Sequence, residues 1–208
     1  MLYQREVFNR YFTEPEEKKL FKTIAEHNSI SARRDLAWMK VLRHTGIRIE
    51  SFSLLTRGDA KRAISEKELN YVGKGRNGSK KAGRSFVNKT AVKAFKELLR
   101  IGREMGVPDM DDKPLVVSRQ RDNQRQFKAL TIRSYQVAMQ KWCTMAQVPS
   151  GSPHWLRHTT AKRIMKSSTS NDPRGIVQAQ LNHSDPRSTY IYTMPDKEDI
   201  QNAMEEIS

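Results

Sequence analysis

The segment HWLRHTT places an arginine beside two of the five histidines in the chain. His154 precedes Arg157 by three residues and His158 by four, so a helix would project all three side chains from one face. Two imidazoles and a guanidinium on one face can bind an anion or a metal ion. They are equally compatible with a helix face that meets only solvent, and the segment alone does not decide between these alternatives.

The chain carries a large excess of positive charge. Its 208 residues contain 38 Lys and Arg against 23 Asp and Glu, a formal net charge of +15. This imbalance favours a polyanionic partner, most commonly nucleic acid, although a basic surface that only confers solubility has the same composition. A hydrophobic content of 37% with 29% charged residues predicts one soluble globular domain.

Cysteine content and hydropathy limit the possible compartments. Cys143 is the single cysteine, which excludes an intrachain disulfide and a cysteine-based zinc site. No apolar run approaches the ~20 residues of a membrane span, and the opening MLYQREVFNR lacks the pattern of a signal peptide. We therefore expect a cytoplasmic protein with a reduced thiol.

Helical periodicity covers most of the sequence. Thr13 with Glu16 predicts a capping box, Gly46 predicts a helix end, and Asp172 with Pro173 predicts a helix start. The predicted helices are 14–26, 31–45, 48–55, a helix capped by Thr90 and ending before Gly106, 131–146, the helix of HWLRHTT, the helix after Asp172, and an acidic one in 194–208.

Residues 60–88 have a different pattern. Short apolar alternations, ELNYV and RSFVN, surround the turn-rich stretch GKGRNGSKKAG, which predicts a small antiparallel sheet with a long hairpin. PLVV at 114–117 predicts a short extended piece. The expected fold class is therefore α+β, mainly α-helical, with one small antiparallel β-sheet.

Charge separates the final segment from the middle of the chain. Residues 61–103 contain 13 basic and three acidic side chains, whereas 196–206 contain five acidic side chains and one lysine. These opposite charges suggest different partners for the two regions. The apolar stripe of the final helix is Ile200, Ala203, Met204 and Ile207. This stripe can dock either on its own domain or on a neighbouring protomer.

Four separated fragments together resemble the tyrosine recombinase (phage integrase) family. They are HTGIRIESFSLL with Arg48, VGKGRNGSKKAG with Lys74, HWLRHTTAKR with His154 and Arg157, and QLNHSDPRSTYIYT with His183 and Tyr192. Each fragment is common by itself, but the set in this order is specific, and the tyrosine follows His183 by nine residues. The resemblance runs from about Phe12 to Met194.

The resemblance implies a tyrosine-recombinase catalytic fold over 1–194 and a C-terminal tail helix over 195–208. It also implies no separate N-terminal core-binding domain, because only about 12 residues precede the first predicted helix. The implied substrate is double-stranded DNA, with self-association on DNA through the tail. No metal or other cofactor is implied, because the bond energy is kept in a protein–DNA ester.

The implied nucleophile is Tyr192, which would attack a DNA phosphate to give a 3′-phosphotyrosine and release a 5′-hydroxyl. Arg48 and Arg157 would bind the non-bridging oxygens. Guanidinium groups match the geometry of phosphate oxygens, and cations around a tyrosine with a pKa near ~10 help it to ionise. Tyr190 is the competing nucleophile, and the spacing from His183 favours Tyr192.

The implied general acid is Lys74, which would protonate the leaving oxygen. Lys80 or Lys81 in the same hairpin could substitute for it. His154 and His183 would donate hydrogen bonds to the phosphate, and His154 could also accept the tyrosine proton. We interpret His158 as structural, and Trp142 and Trp155 as core residues rather than DNA-stacking groups.

Two positions depart from the pattern of the family. Ser51 stands where an acidic residue is usual, with Glu50 one position earlier. Asn182 replaces the usual glycine before His183. These changes affect the fine positioning of the site rather than the presence of the catalytic set.

Three other functions remain compatible with the residues. A metal-dependent hydrolase would use His154, His158 and His183 as ligands, but no carboxylate is clearly placed to complete the site. A non-catalytic DNA-binding regulator would have the same basic surface. A type IB topoisomerase shares the chemistry and much of the catalytic set, and only strand exchange between two sites distinguishes it.

Overall fold

The computed structural model describes residues 10–74, 79–118, 127–183, 185, 187–195 and 197–207. Within these ranges the chain forms ten helices and a two-stranded antiparallel sheet, so the predicted fold class is confirmed. The helices are α1 (Glu14–Ala25), α2 (Ile30–Thr45), α3 (Ile49–Phe52), α4 (Arg57–Glu66), α5 (Lys89–Glu104), α6 (Ile132–Met145), α7 (Pro153–Ser167), α8 (Pro173–Gln180), α9 (Arg187–Tyr190) and α10 (Lys197–Glu206). The strands are β1 (Glu68–Lys74) and β2 (Lys80–Phe86).

Helix α2 lies at the centre of the fold and packs against α1, α5 and α7. Its buried Asp35 accepts hydrogen bonds from the indole N–H groups of Trp38 at 3.1 Å and Trp142 at 3.0 Å, which ties α2 to α6. Trp155 is also buried, with its ring 5.3 Å from that of Phe12. The prediction that Trp142 and Trp155 are core residues is therefore confirmed.

Several helix boundaries lie where the cap signals predicted them. The Thr13 N–H donates to Glu16 Oε2 at 2.9 Å at the start of α1. Gly46 ends α2 in the left-handed conformation, with φ of 71°. The Asp172 carboxylate accepts from the Gly175 N–H at 2.8 Å at the start of α8. These local signals fix the ends of helices because they satisfy backbone groups that a helix leaves unpaired.

The sheet is smaller than the prediction of 60–88. Residues 57–66 form α4, because Thr56 and Asp59 make a capping box in which the Thr56 N–H donates to Asp59 Oδ2 at 2.9 Å. Ala60 and Ala63 are completely buried, so α4 contributes to the core through small side chains. The prediction of sheet from residue 60 was wrong, because the capping box at Thr56 starts a helix that continues to Glu66.

Three other predicted elements differ in their extent. The helix predicted over 48–55 covers only Ile49–Phe52. The cap of α5 is Asn88, whose side chain accepts from the Ala91 N–H at 3.0 Å, and not Thr90. The segment 114–117, predicted as a short extended piece, makes isolated β-bridges from Pro114 to Thr56 and from Val117 to Ala129 rather than a full strand.

Strands β1 and β2 pair in a continuous antiparallel register. Glu68 pairs with Phe86 at the base of the hairpin, Tyr71 with Gly83 in the middle, and Lys74 with Lys80 at the far end. The tip, 75–78, lies outside the described residues. The hairpin packs on α3, α4 and α8, and it therefore extends from the core towards the end of α8.

Candidate active site

Arg157 is buried on α7, with 1% of its surface exposed. Its Nη1 donates to the Gly46 carbonyl at 2.5 Å and its Nη2 to the Leu181 carbonyl at 2.8 Å. These two carbonyls lie at the ends of α2 and α8, so one guanidinium fixes three helices relative to each other. Burial and the positive charge of Arg48 lower the pKa of Arg157 to about 10.

Arg48 is half-buried at the N-terminal cap of α3, two residues after the left-handed Gly46. A side chain at Gly46 would collide with Leu181, so a glycine is needed both for the turn and for the close approach of the two segments. The positive charge of Arg48 opposes protonation of His154 and His183 and favours ionisation of Tyr192. Arg48 therefore lies among these side chains.

His154 and His158 are neighbours on α7, with ring centroids 4.7 Å apart in an edge-to-face arrangement. His154 remains exposed, whereas His158 is half-buried and its ring is 5.4 Å from that of Tyr192. Burial, then His154 and Arg157, lowers the pKa of His158 to about 3. Desolvation by the surrounding protein, then Arg157 and Arg48, also lowers the pKa of His154, even though the residue keeps part of its surface exposed. Both imidazoles are therefore neutral at neutral pH.

His183 follows α8 and is fixed by a hydrogen bond between its Nδ1 and the Thr189 hydroxyl, at 2.8 Å. Thr189 is completely buried in the short helix α9. Burial and the charges of Arg157 and Arg48 lower the pKa of His183 to about 4. The contact with Thr189 leaves Nε2 as the ring nitrogen that can meet a substrate.

Tyr192 lies just after α9 and is buried, with 6% of its surface exposed. It packs in a small cluster with Ala161, Val177 and Leu181. Burial raises the pKa of Tyr192 to about 12, although Arg157 and Arg48 act in the opposite direction. The rival residue, Tyr190, is 56% exposed and belongs to no core cluster of the described residues.

Lys74 is the last residue of β1, and its side chain lies outside what the structure describes. Lys80 and Lys81 begin β2 and are exposed. Five of the six predicted site side chains are thus placed in one region, around the ends of α2, α7 and α8. The sixth, Lys74, is located only by its position in the backbone of the hairpin.

The two departures from the family pattern have local explanations. Ser51 is buried on α3, whereas Glu50 is exposed. The negative charge of Glu50 partly offsets the lowering of the pKa values of His154 and Arg157 that burial and the neighbouring arginines cause. A carboxylate therefore acts on the site from the neighbouring position. Asn182 has a φ of 52°, in the left-handed region where glycine is favoured and asparagine is tolerated.

Two residues near the site were missed by the sequence analysis. They are Thr189 and Tyr71, a half-buried residue of β1 that interacts electrostatically with Arg48 and Arg157. Thr189 precedes Tyr192 by three residues, which is the only sequence signal for its proximity. Tyr71 had no signal, because it matched an ordinary apolar position of a strand.

The described residues contain no group of three His, Cys, Asp or Glu side chains arranged to hold a metal ion. Among the helices in the described ranges, none is long and apolar enough to span a bilayer.

Known proteins similar to this chain include two tyrosine recombinases XerC. The protein from Caldanaerobacter subterraneus subsp. tengcongensis is 27% identical over 196 residues, which cover 93% of this chain and 50% of the relative. The protein from Haemophilus ducreyi is 30% identical over 161 residues, covering 77% of this chain and 47% of the relative. The chain therefore spans about half the length of these relatives.

Solved structures with the same fold include the XerA recombinase, with a TM-score of 0.69 and 21% identity over 94% of this chain and 62% of that one. XerH recombinase bound to its difH substrate gives a TM-score of 0.67 and 18% identity, over 98% of this chain and 56% of that one. A sequence model of the phage integrase family matches residues 10–199. With this match over nearly its whole length, the chain belongs to the phage integrase family.

Proposed function

We propose that the protein is a site-specific tyrosine recombinase that cuts and rejoins double-stranded DNA through a covalent phosphotyrosine. The observation that carries this proposal is the position of Tyr192, whose ring centroid is 5.4 Å from that of His158 and 6.2 Å from that of His183, in a region that also holds Arg48 and Arg157. A basic chain with a net charge of +15 agrees with a DNA substrate.

The nucleophile in the proposed reaction is the Tyr192 hydroxyl. Its oxygen attacks the phosphorus of the scissile phosphodiester, the bond from phosphorus to the 5′-oxygen breaks, and a 3′-phosphotyrosine forms. The 5′-hydroxyl of a second strand then attacks the same phosphorus and releases the tyrosine, so strands are exchanged without an external energy source. A high pKa leaves Tyr192 protonated in the free protein, and the reaction therefore needs a proton acceptor.

The proton acceptor proposed for this step is His154. It is exposed on α7, beside His158, whose ring contacts that of Tyr192. His158 has a pKa of about 3 and is therefore too weak a base for this role. Its contact with the ring of Tyr192 supports the structural interpretation, in which it holds the nucleophile in place.

The two arginines would neutralise the phosphate and its transition state. A guanidinium has five N–H groups, and Arg157 donates from each of its two terminal nitrogens to a backbone carbonyl. Up to three N–H groups thus remain for phosphate oxygens, in an orientation fixed before DNA binds. Such prearranged donors stabilise charge as it develops, which is the main source of catalysis in phosphoryl transfer.

His183 would complete the set of donors. A Thr189 hydroxyl that donates to Nδ1 leaves the proton on Nε2, so that neutral His183 can donate to the phosphate. Lys74 is proposed as the acid that protonates the 5′-oxygen as it leaves. Its position agrees with this role because it ends β1, opposite Lys80, at the end of the hairpin farthest from the base.

Self-association through α10 is proposed for the assembled complex on DNA. Ile200, Met204 and Ile207 of the tail are 53%, 60% and 76% exposed, so the described chain leaves this apolar stripe uncovered. A cavity of about 640 Å³ lies on the same domain, with Arg43, Lys67 and Arg163 among its lining residues. The acidic tail of a second copy has complementary charge for this cavity, although Arg43 and Arg163 also pair with Glu17 and Glu14 of α1.

The contact of α10 with its own domain is the alternative. Lys166 forms an ion pair with Asp199 at 2.9 Å, which holds the tail near α7 in the single chain. An exposed pair of this kind contributes little stability and can be exchanged for an equivalent pair with a neighbour.

A protein that acts on DNA in this way would work in the cytoplasm of a prokaryotic cell or of a viral host.

Covalent trapping tests the proposed function. Duplexes that the protein binds are selected from a random pool and rebuilt with a nick next to the cleaved phosphate, so that the released fragment diffuses away. We expect a protein–DNA adduct that survives denaturation, and exchange of strands between two such sites. Binding without an adduct would favour the regulator, and adducts with relaxation of supercoils but no exchange would favour the topoisomerase.

A further inference from the structure

The ring of Tyr71 lies directly against its cross-strand partner, Gly83. A Cβ atom added to Gly83 would be 2.5 Å from Cε2 and 2.6 Å from Cζ of that ring. Only glycine therefore allows the tyrosine to lie across β2. The ring thus covers the strand, and its hydroxyl reaches the neighbouring segment that follows α8.

The side-chain amide of Asn182 lies beside this hydroxyl. It makes a polar contact with the Tyr71 side chain and donates to the Ala82 carbonyl at 3.4 Å. The same Cβ on Gly83 would be 2.9 Å from Asn182 Nδ2, so the amide also depends on the absence of a side chain there. Tyr71, Gly83 and Asn182 thus form one contact between the hairpin and the loop that carries His183.

The contact lies in the middle of the hairpin, between its base and the end that bears Lys74. Gln180 holds the base, where its side chain bonds to Ser85 Oγ at 2.8 Å and to the backbone of Phe86. Asn182 holds the middle, where it meets Tyr71, and Tyr71 precedes Lys74 by three residues along β1. Without the second attachment, the far half of the hairpin would be free to rotate about its base.

We propose that the contact between Asn182 and Tyr71 across Gly83 positions the strand that bears Lys74 relative to the loop that bears His183. Tyr71 and Asn182 are positioning residues in this scheme, and they act on the reaction through Lys74. The inference rests on the proposed role of Lys74 as general acid. It also gives a purpose to asparagine at a position where the backbone alone would favour glycine.

Two variants remove the contact with little other change. Tyr71→Phe deletes the hydroxyl and keeps the ring on Gly83, and Asn182→Gly deletes the amide and keeps the left-handed backbone accessible. Misplacing a catalytic group by ~1 Å costs about 100-fold in rate. We expect each variant to slow cleavage about 10- to 100-fold at saturating DNA, with an unchanged melting temperature and unchanged DNA affinity. Val72→Thr, at an exposed neighbour on β1, is the matched control and should cleave normally.

The double variant tests whether the two residues act through one contact. Because both single changes remove the same contact, the double variant should be no slower than the slower single variant, within about threefold. Multiplied losses would overturn the inference. Normal cleavage by either single variant would do the same.

Sulfur substitution tests whether the contact acts through Lys74. A substrate with sulfur at the bridging 5′ position has a leaving group that needs no proton, so it should restore Lys74→Ala, Tyr71→Phe and Asn182→Gly alike. Restoration of Lys74→Ala alone would overturn the inference and leave Lys74 as the acid. If Lys74→Ala is not restored, the assignment of Lys74 fails and the inference fails with it.

Discussion

The ring of Tyr192 lies nearly parallel to the imidazole of His183, with an angle of 10° between the planes and 6.2 Å between the centroids. The imidazole of His158 is tilted by 55° to the same ring, with 5.4 Å between the centroids. Tyr192 is therefore docked among the histidines of its own chain before DNA is present. This arrangement has consequences for the identity of the nucleophile and for the protomer that supplies it.

Replacing Tyr192 with phenylalanine should abolish the covalent adduct. The ring would still fill its place beside Ala161 and Leu181, so folding and DNA binding should be preserved. The measurement is adduct formation on nicked DNA, with DNA affinity determined in parallel. Tyr190→Phe, which alters an exposed ring, is the control and should retain adduct formation. An adduct formed by Tyr192→Phe would disprove the assignment.

Cleavage should use the tyrosine and the arginine of the same protomer. Tyr192 is packed beside the α7 helix that bears Arg157 within one chain, so two defective chains cannot share one complete site by simple mixing. We expect mixtures of Tyr192→Phe and Arg157→Ala to give no more adduct than either variant alone. Recovery of a substantial fraction of wild-type cleavage would indicate that the tyrosine is supplied by a neighbour.

Lys74→Ala should slow cleavage of ordinary DNA by about 100- to 10,000-fold, the usual contribution of a positioned proton donor. The measurement is the rate of adduct formation on oxygen and on 5′-sulfur substrates, and sulfur should restore most of the rate. Lys80→Ala and Lys81→Ala control for the loss of positive charge from the same hairpin. If sulfur restores one of these two variants instead, that lysine is the acid.

Deleting residues 196–208 should impair strand exchange more than single-site cleavage. The deletion removes the exposed stripe of α10 but keeps Met194, whose carbonyl accepts a hydrogen bond from Lys162 at 3.0 Å beside the site. We expect at least about a tenfold greater loss in exchange than in cleavage, because exchange requires several joined protomers. Equal losses would indicate that α10 serves its own domain.

Acid should destabilise the fold at pH values between about 6.5 and 4. Burial and the charges of Arg43 and Lys40 lower the pKa of His44 from 6.5 to about 4, and the pKa values of His158 and His183 are lowered as well. Above this range each histidine is neutral in both states. As the pH falls through it, the unfolded chain binds protons that the folded chain excludes, so the free energy of unfolding decreases.

His44→Gln provides the control for this dependence, since His44 lies away from the site and accepts a hydrogen bond at 3.0 Å from Asn88. The glutamine oxygen can accept the same bond but does not titrate. Denaturant unfolding at a series of pH values should show the variant taking up about one proton fewer on unfolding at mildly acid pH. An unchanged slope would show that His44 does not contribute to acid sensitivity.

The sequence alone determined the helices with strong local signals and the family of the chain. Thr13 with Glu16, Gly46, and Asp172 with Pro173 predict boundaries because each cap involves residues close together in the chain. One error arose where residues 60–66 were included in the predicted sheet. The capping box of Thr56 and Asp59 starts a helix there instead, with Ala60 and Ala63 buried.

The tertiary structure decided which of these residues act together. Arg157 can be buried because its guanidinium donates to two backbone carbonyls, at the ends of α2 and α8. These carbonyls are 111 and 24 residues away from it in the sequence. No local pattern encodes contacts over such separations. The same holds for Tyr71, an ordinary strand residue in the sequence, which meets Asn182 only because Gly83 leaves space for its ring. The resemblance to the family thus predicted the candidate groups, whereas long-range packing set their orientation, their burial and their pKa values.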